Sequence, residues 1–277
     1  MRLGLSSSLT HQTPEEWAGR LSALGCRAVN FPADYTCDPA LLDRYARAAQ
    51  AHDLVIAEVG AWCNPISPDP ETKAAALLRC KEQLRLADRL HARCCVNVSG
   101  SKGSRWDGPY RENITEDTWQ DMIRSIQEII DDVNPRNTFY TIEPMPWMYP
   151  MGPDEYLKMI RDVNRERFAV HMDVFNWITS AQRYFFHEEF MEECFTKLGT
   201  HIKSCHLKNV HLSQAFTLQL QETACEKGDL HLEKYAQLIE HLDPDMPVII
   251  EHLESDAEYL ESLTYVIQRF RKAGYSL

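Results

Sequence analysis

The sequence predicts a single α/β domain folded as a closed (β/α)8, or TIM, barrel, and three observations carry the prediction. Short β-rich runs alternate with helical stretches along all 277 residues, and eight of each can be counted. The turn after the first strand, LGLSSSLTHQT, lacks the G-x-G-x-x-G that announces a nucleotide-binding open sheet. No linker-like or low-complexity stretch interrupts the alternation, so eight β/α units in about 250 residues read as one domain over 1–277.

The first unit pairs a strand at 2–6 with a helix at 14–24, where Thr13 stands as capping residue before Pro14. The second sets a strand at 28–31 before a helix at 39–52, and the third a strand at 55–61 before a long helix at 70–90. Both helices open with the same device, Asp38 before Pro39 and Asp69 before Pro70. The fourth strand, 94–98, begins with Cys94 and Cys95, which read as small buried side chains in an apolar run, and helix 115–133 follows. Strands at 138–143, 168–173, 202–208 and 247–251 alternate with helices at 153–163, 187–198, 230–242 and 257–272. The longest irregular pieces, 63–69, 99–114, 144–152, 176–186 and 209–228, all follow strands. They therefore emerge at the C-terminal face, where barrel enzymes build their sites.

Composition narrows the partners. Lys and Arg number 29 against 41 Asp and Glu, a net charge of −12, which argues against unaided nucleic-acid binding. No apolar run approaches the roughly 18 residues of a membrane span. The opening MRLGLSSSLTHQTPEEW lacks the charged head and long apolar stretch of a signal peptide, so a soluble, cytoplasmic protein is expected. Nine cysteines without a C-x-x-C pair read as reduced thiols, and N-I-T at Asn113 as a chance match.

Chemistry concentrates at the ends of the last four strands. FYTIEP places Glu143, FAVHMD places Asp173, KSCHLKN places His206 and VIIEH places Glu251. In a closed barrel these ends surround one mouth. One acid at one strand end is as readily a helix cap or a surface charge. Four ligand-type side chains in succession, each breaking a run built for burial, are a site. Three facing carboxylates repel and raise one another's pKa, and a divalent cation resolves the conflict. Three oxygens and one imidazole suit Mn²⁺ first, with Mg²⁺ or Co²⁺ as alternatives, better than a structural zinc.

Around this set, Lys208 is in phase with its neighbours and reads as an oxyanion partner or as half of a surface salt bridge. His171, also in phase, is either a donor behind a ligand or a satisfied core histidine. Trp62, at the end of the third strand, stacks on a sugar ring or walls off solvent, or belongs to the core. His252 points away if its strand continues. Trp106, Tyr110 and 147–149 lie in loops able to close over a bulky ligand.

The sequence resembles the xylose isomerase-like TIM barrel superfamily, the sugar phosphate isomerase/epimerase group. The resemblance spans essentially the whole chain and is carried by IEP, HMDVFN, CHLKN, GDLHLEKY and IIEH in that order. It implies a metal held by Glu143, Asp173, His206 and Glu251. The two glutamates would also serve as acid and base in an isomerase or epimerase reaction through a metal-stabilised enediolate next to a carbonyl. Two positions depart from the epimerase pattern: Asn30 stands where many relatives carry Glu, and Asn176 where epimerases carry His. Asn still hydrogen-bonds a hydroxyl, which keeps Asn176 as a substrate-binding residue but removes an acid or base. A second reading is therefore a metal-dependent lyase or dehydratase that expels a β-leaving group from a keto-sugar, keto-polyol or keto-glycoside. A barrel with a vestigial site, acting as a binding subunit, is the non-catalytic alternative. An endonuclease IV-like nuclease is disfavoured, because Trp62 and Asn97 occupy strand ends where it needs further metal ligands. The expected partner is a small sugar or polyol, unphosphorylated for want of a basic cluster, and the resemblance implies a homo-oligomer of unfixed number.

Overall fold

The computed structural model describes residues 1–275 and 277. Its elements run β1 (Arg2–Leu5), α1 (Pro14–Ala23), β2 (Ala28–Asn30), α2 (Pro39–Ala51), β3 (Val55–Gly60), α3 (Pro70–Leu90) and β4 (Cys94–Asn97). They continue with α4 (Glu116–Val133), β5 (Tyr140–Ile142), α5 (Pro153–Val163), β6 (Phe168–Met172), α6 (Ala181–Phe185), α7 (His187–Leu198) and β7 (Ile202–Leu207). The chain closes with β8 (Asn209–Leu212), β9 (Leu220–Thr223), α8 (Leu232–Leu242), β10 (Pro247–Ile250) and α9 (Asp256–Lys272). Eight strands form a closed parallel barrel in the order β1-β10-β7-β6-β5-β4-β3-β2, sealed where Arg2 to Leu5 register with Pro247 to Ile250. The predicted barrel is the observed one.

The anticipated caps are in place. Thr13 accepts from Glu16 N at 3.1 Å, Asp38 from Ala40 N at 2.7 Å and Asp69 from Thr72 N at 2.8 Å. Each satisfies a backbone donor that a helix start leaves orphaned. The helices then turn apolar faces such as Trp17, Leu21, Ile126 and Ile130 onto the outside of the barrel. All nine cysteines are free, and Cys94 and Cys95 are buried. Among the described residues no helix is long and apolar enough to cross a membrane.

The bore is tight. A Cβ on Gly4 would lie 2.1 Å from Ala28 O and 2.8 Å from Ile249 Cδ1, so only glycine lets β1 approach its neighbours there. Gly4→Ala is expected to lower stability by about 1–3 kcal/mol through overpacking, read as a shift in the denaturant midpoint at unchanged slope.

Two segments differ from expectation. The piece at 209–228, read as irregular, contains the antiparallel hairpin β8–β9, registered from Asn209↔Thr223 to Leu212↔Leu220. Its strands are too short and too polar to stand out as runs. The piece at 176–186 contains α6, started by Ser180, whose hydroxyl accepts from Arg183 N. Several barrel strands also end one residue early, so Glu143, Asp173, Lys208 and Glu251 lie just beyond the paired ladder. There the backbone turns and can aim them into the mouth.

Candidate metal centre and its cavity

Each strand-end side chain is fixed by its own backbone. Glu143 follows β5 and donates its N–H to Asn97 O at 2.8 Å. Asp173 follows β6, and its Oδ1 accepts from Phe175 N at 3.0 Å and Asn176 N at 3.2 Å, which leaves Oδ2 for the interior. His206 lies within β7 in register with Ile249, and Tyr235 Oη donates to its carbonyl at 3.1 Å. Glu251 follows β10 directly. All four side chains are buried, and one ligand atom from each lies within 4.8 Å of the other three.

Charge dominates this cluster. His206 Nδ1 stands 2.8 Å from Glu251 Oε2 and 3.3 Å from Glu143 Oε1. Lys208 Nζ lies 2.7 Å from both Asp173 Oδ2 and Glu251 Oε1. Burial opposes the His206 imidazolium, but Glu251, Glu58 and Glu143 outweigh it and hold its pKa well above the ordinary histidine value. Burial likewise opposes the Glu251 carboxylate, yet His206 and Lys208 pull it well below the usual range. Asp173 goes the other way: burial pushes it up to about 7 in spite of Lys208. Among the described residues Asp173 Oδ2 is buried without a hydrogen bond, and its ion-pair partner is Lys208. Three carboxylates that already draw the His206 imidazolium and the Lys208 ammonium, with that imidazole as a fourth donor, suit a divalent ion that prefers oxygen.

Above the cluster opens a cavity of about 690 Å³. Trp62, Asn176, Lys208, Glu143 and Glu251 all line it, with Trp106 and Trp147 from the loops. Trp62 has φ 40° and is 37% exposed, which settles it as wall rather than core. Asn176 Nδ2 donates to Glu143 Oε1 at 3.2 Å and to Pro144 O at 3.0 Å. Tyr110 stays outside the cavity lining, half-exposed.

His171 is not brought to the cavity. It is fully buried beneath the cluster, edge-on to His206 at 4.1 Å, with no hydrogen bond on either ring nitrogen. Burial and the neighbouring His206 lower its pKa to about 4, so it is neutral. Asn30 ends β2 with its Oδ1 buried and unpartnered, and it too is absent from the lining.

Three residues escaped the reading of the sequence. His252 was expected to point away because its strand was assumed to continue. The strand stops at Ile250, His252 takes φ 57°, and its Nδ1 swings to 2.8 Å from Glu222 Oε1 at the cavity wall. Glu222 itself, on β9, also reaches 3.2 Å from Lys208 Nζ, and the hairpin that carries it gave no recognisable signal. Glu58, buried in the middle of β3, sets Oε1 3.2 Å from His206 Nε2 and Oε2 3.4 Å from His171 Nδ1. Its signal was present: an acid inside VIAEVG interrupts an apolar strand.

Among curated proteins, none matches this chain by sequence. Solved structures match it over nearly all its length. The probable 3-DHS dehydratase AsbF of Bacillus anthracis superposes with TM-score 0.73 at 14% identity, covering 97% of this chain and 99% of that one. D-psicose 3-epimerase from Clostridium cellulolyticum H10, solved with D-tagatose, gives 0.70 at 11% identity, covering 98% and 99%. A Mycobacterium smegmatis barrel protein in complex with magnesium gives 0.67 at 15% identity, covering 95% and 90%. At such identities these likenesses speak to the fold. The family model described as xylose isomerase-like TIM barrel matches residues 18–269, and the chain belongs to that family.

Proposed function

We propose that this protein is a divalent-metal-dependent isomerase or epimerase that moves a proton next to the carbonyl of a small, unphosphorylated sugar or polyol. The observation that carries the reading is the convergence of Glu143, Asp173, His206 and Glu251, of which Glu143 and Glu251 line an open cavity. These four residues would hold the ion, Mn²⁺ first, then Mg²⁺ or Co²⁺. When bound, the ion supplies Lewis-acid polarisation of a substrate carbonyl.

The chain's own residues supply the rest. Of Glu251 and Glu143, which follow strands on either side of His206, one would take a proton and the other return it. Asn176 holds Glu143 Oε1 by its amide and so fixes which oxygen faces the cavity. Lys208 balances charge beside Asp173 and Glu251 and can meet a substrate oxygen. Trp62, Trp106 and Trp147 offer flat apolar faces for sugar C–H groups and exclude water.

A second reading, a lyase that expels a β-leaving group after the same proton abstraction, is favoured by one observation. Asn176 stands where epimerases carry His, and its amide is committed to Glu143 and Pro144 O. The test is metal content by mass spectrometry, followed by solvent-deuterium exchange into a panel of ketoses, keto-polyols and keto-glycosides. Stoichiometric metal with deuterium at the carbon next to the carbonyl is expected, and the product then separates epimer from elimination. No metal after reconstitution, or metal without exchange on any member, would overturn the proposal. The second outcome would favour a binding subunit.

A further inference from the structure

We infer that Glu58 is a positioning residue that orients His206 toward the cation site from the opposite wall of the barrel. The inference rests on reading Glu143, Asp173, His206 and Glu251 as the ligand set.

The topology makes the contact unusual. In the closed order, β3 and β7 are separated by three strands in either direction, so they face each other across the bore. Glu58 and His206 share no strand pairing and meet only through their side chains. Glu58 is 1% exposed in a strand whose other members are apolar or glycine. A carboxylate there is costly unless paired. Among the described residues its ion-pair partners are His206 and His171, with no lysine or arginine. His171 Nδ1 makes no hydrogen bond to it, which leaves His206 as its hydrogen-bonded partner.

The two faces of the His206 ring edge have different company. Nδ1 looks at Glu251 and Glu143, the ligand side, whereas Nε2 looks at Glu58 Oε1. A carboxylate only accepts, so Nε2 must donate and carry the hydrogen. In the loaded protein the lone pair is then on Nδ1, aimed at the cation. Ligating histidines are commonly held by a carboxylate in this manner, and losing the partner weakens metal affinity by roughly 10–100-fold. His171 packs edge-on against the same ring and limits its rotation from the side.

The experiment compares Mn²⁺ affinity, by competition with a fluorescent chelator, for wild type, Glu58→Leu, Glu58→Gln and Glu251→Gln. It adds ¹⁵N NMR of the His206 ring in Mg²⁺-loaded wild type. Glu58→Leu is expected to bind about 10–100-fold more weakly, and Glu58→Gln, which keeps an acceptor oxygen, to recover part of that loss. The ring spectrum is expected to show hydrogen on Nε2. Mn²⁺ binding by folded Glu58→Leu within about two-fold of wild type, or hydrogen on Nδ1, would overturn the inference. If Glu58→Leu does not fold, the Gln variant and the wild-type spectrum decide it. Wild type that binds no Mn²⁺ sinks the ligand set itself. Wild type that binds, with Glu251→Gln impaired and Glu58→Leu unchanged, sinks only the role of Glu58.

Discussion

Glu251→Gln is expected to lose bound metal and to slow solvent-deuterium exchange by at least about 10³-fold. The substitution is nearly isosteric, so it removes charge and basicity rather than volume. A proton-transfer base alone is worth about 10²–10⁴-fold. Glu251 is also the carboxylate nearest to His206, at 2.8 Å, and one of the two that share Lys208 at 2.7 Å. Metal content by mass spectrometry and exchange read by NMR report the two losses separately. Full metal occupancy with unimpaired exchange would remove Glu251 from the chemistry.

Lys208→Met should expose how the acidic floor is kept together without a metal. Lys208 is 2% exposed, and its ammonium lies between Asp173, Glu251 and Glu222. Removing one partner from a buried charge cluster costs about 3–5 kcal/mol. The metal-free variant should therefore unfold at markedly lower denaturant than metal-free wild type. Saturating Mn²⁺ should close most of that gap, since it supplies the missing positive charge to the same oxygens. The sign of the pH effect follows from Asp173, whose folded pKa of about 7 lies above its unfolded value. A raised carboxyl binds more protons in the folded state, so its contribution to stability grows as pH falls from about 7 toward 4. Lys208 lowers the Asp173 pKa, so without it Asp173 titrates above 7, and the Asp173 part of the variant's deficit should shrink as pH falls toward about 7 and stay level from there to about 4. Denaturant titrations with chelator and with Mn²⁺, above, near and below about pH 7, check it. A deficit that metal leaves unchanged would mean that Lys208 matters for packing alone.

The barrel was legible because its signals are local: alternating runs, Thr-Pro and Asp-Pro helix starts, and charges that break apolar strands. The same logic found Glu143, Asp173, His206 and Glu251, which the structure gathers in one place. It failed where a contact depends on what lies across the bore. Glu58 has its partner on the opposite strand, a relation that no spacing along VIAEVG displays. His171 shared the phase of the cluster residues and still fell beneath them, since phase gives the side of a strand but not the depth. His252 was misplaced by one assumption about where a strand stops.

The hairpin β8–β9 lies outside the closed ladder: its two strands pair only with each other. Yet it delivers Leu218, Leu220 and Glu222 to the cavity wall. The tip and the barrel can therefore change independently, because exchanging the hairpin breaks no barrel hydrogen bond. It behaves as a cassette whose exchange leaves the backbone ladder of the barrel whole and reaches the floor through Glu222, which pairs with Lys208 and His252.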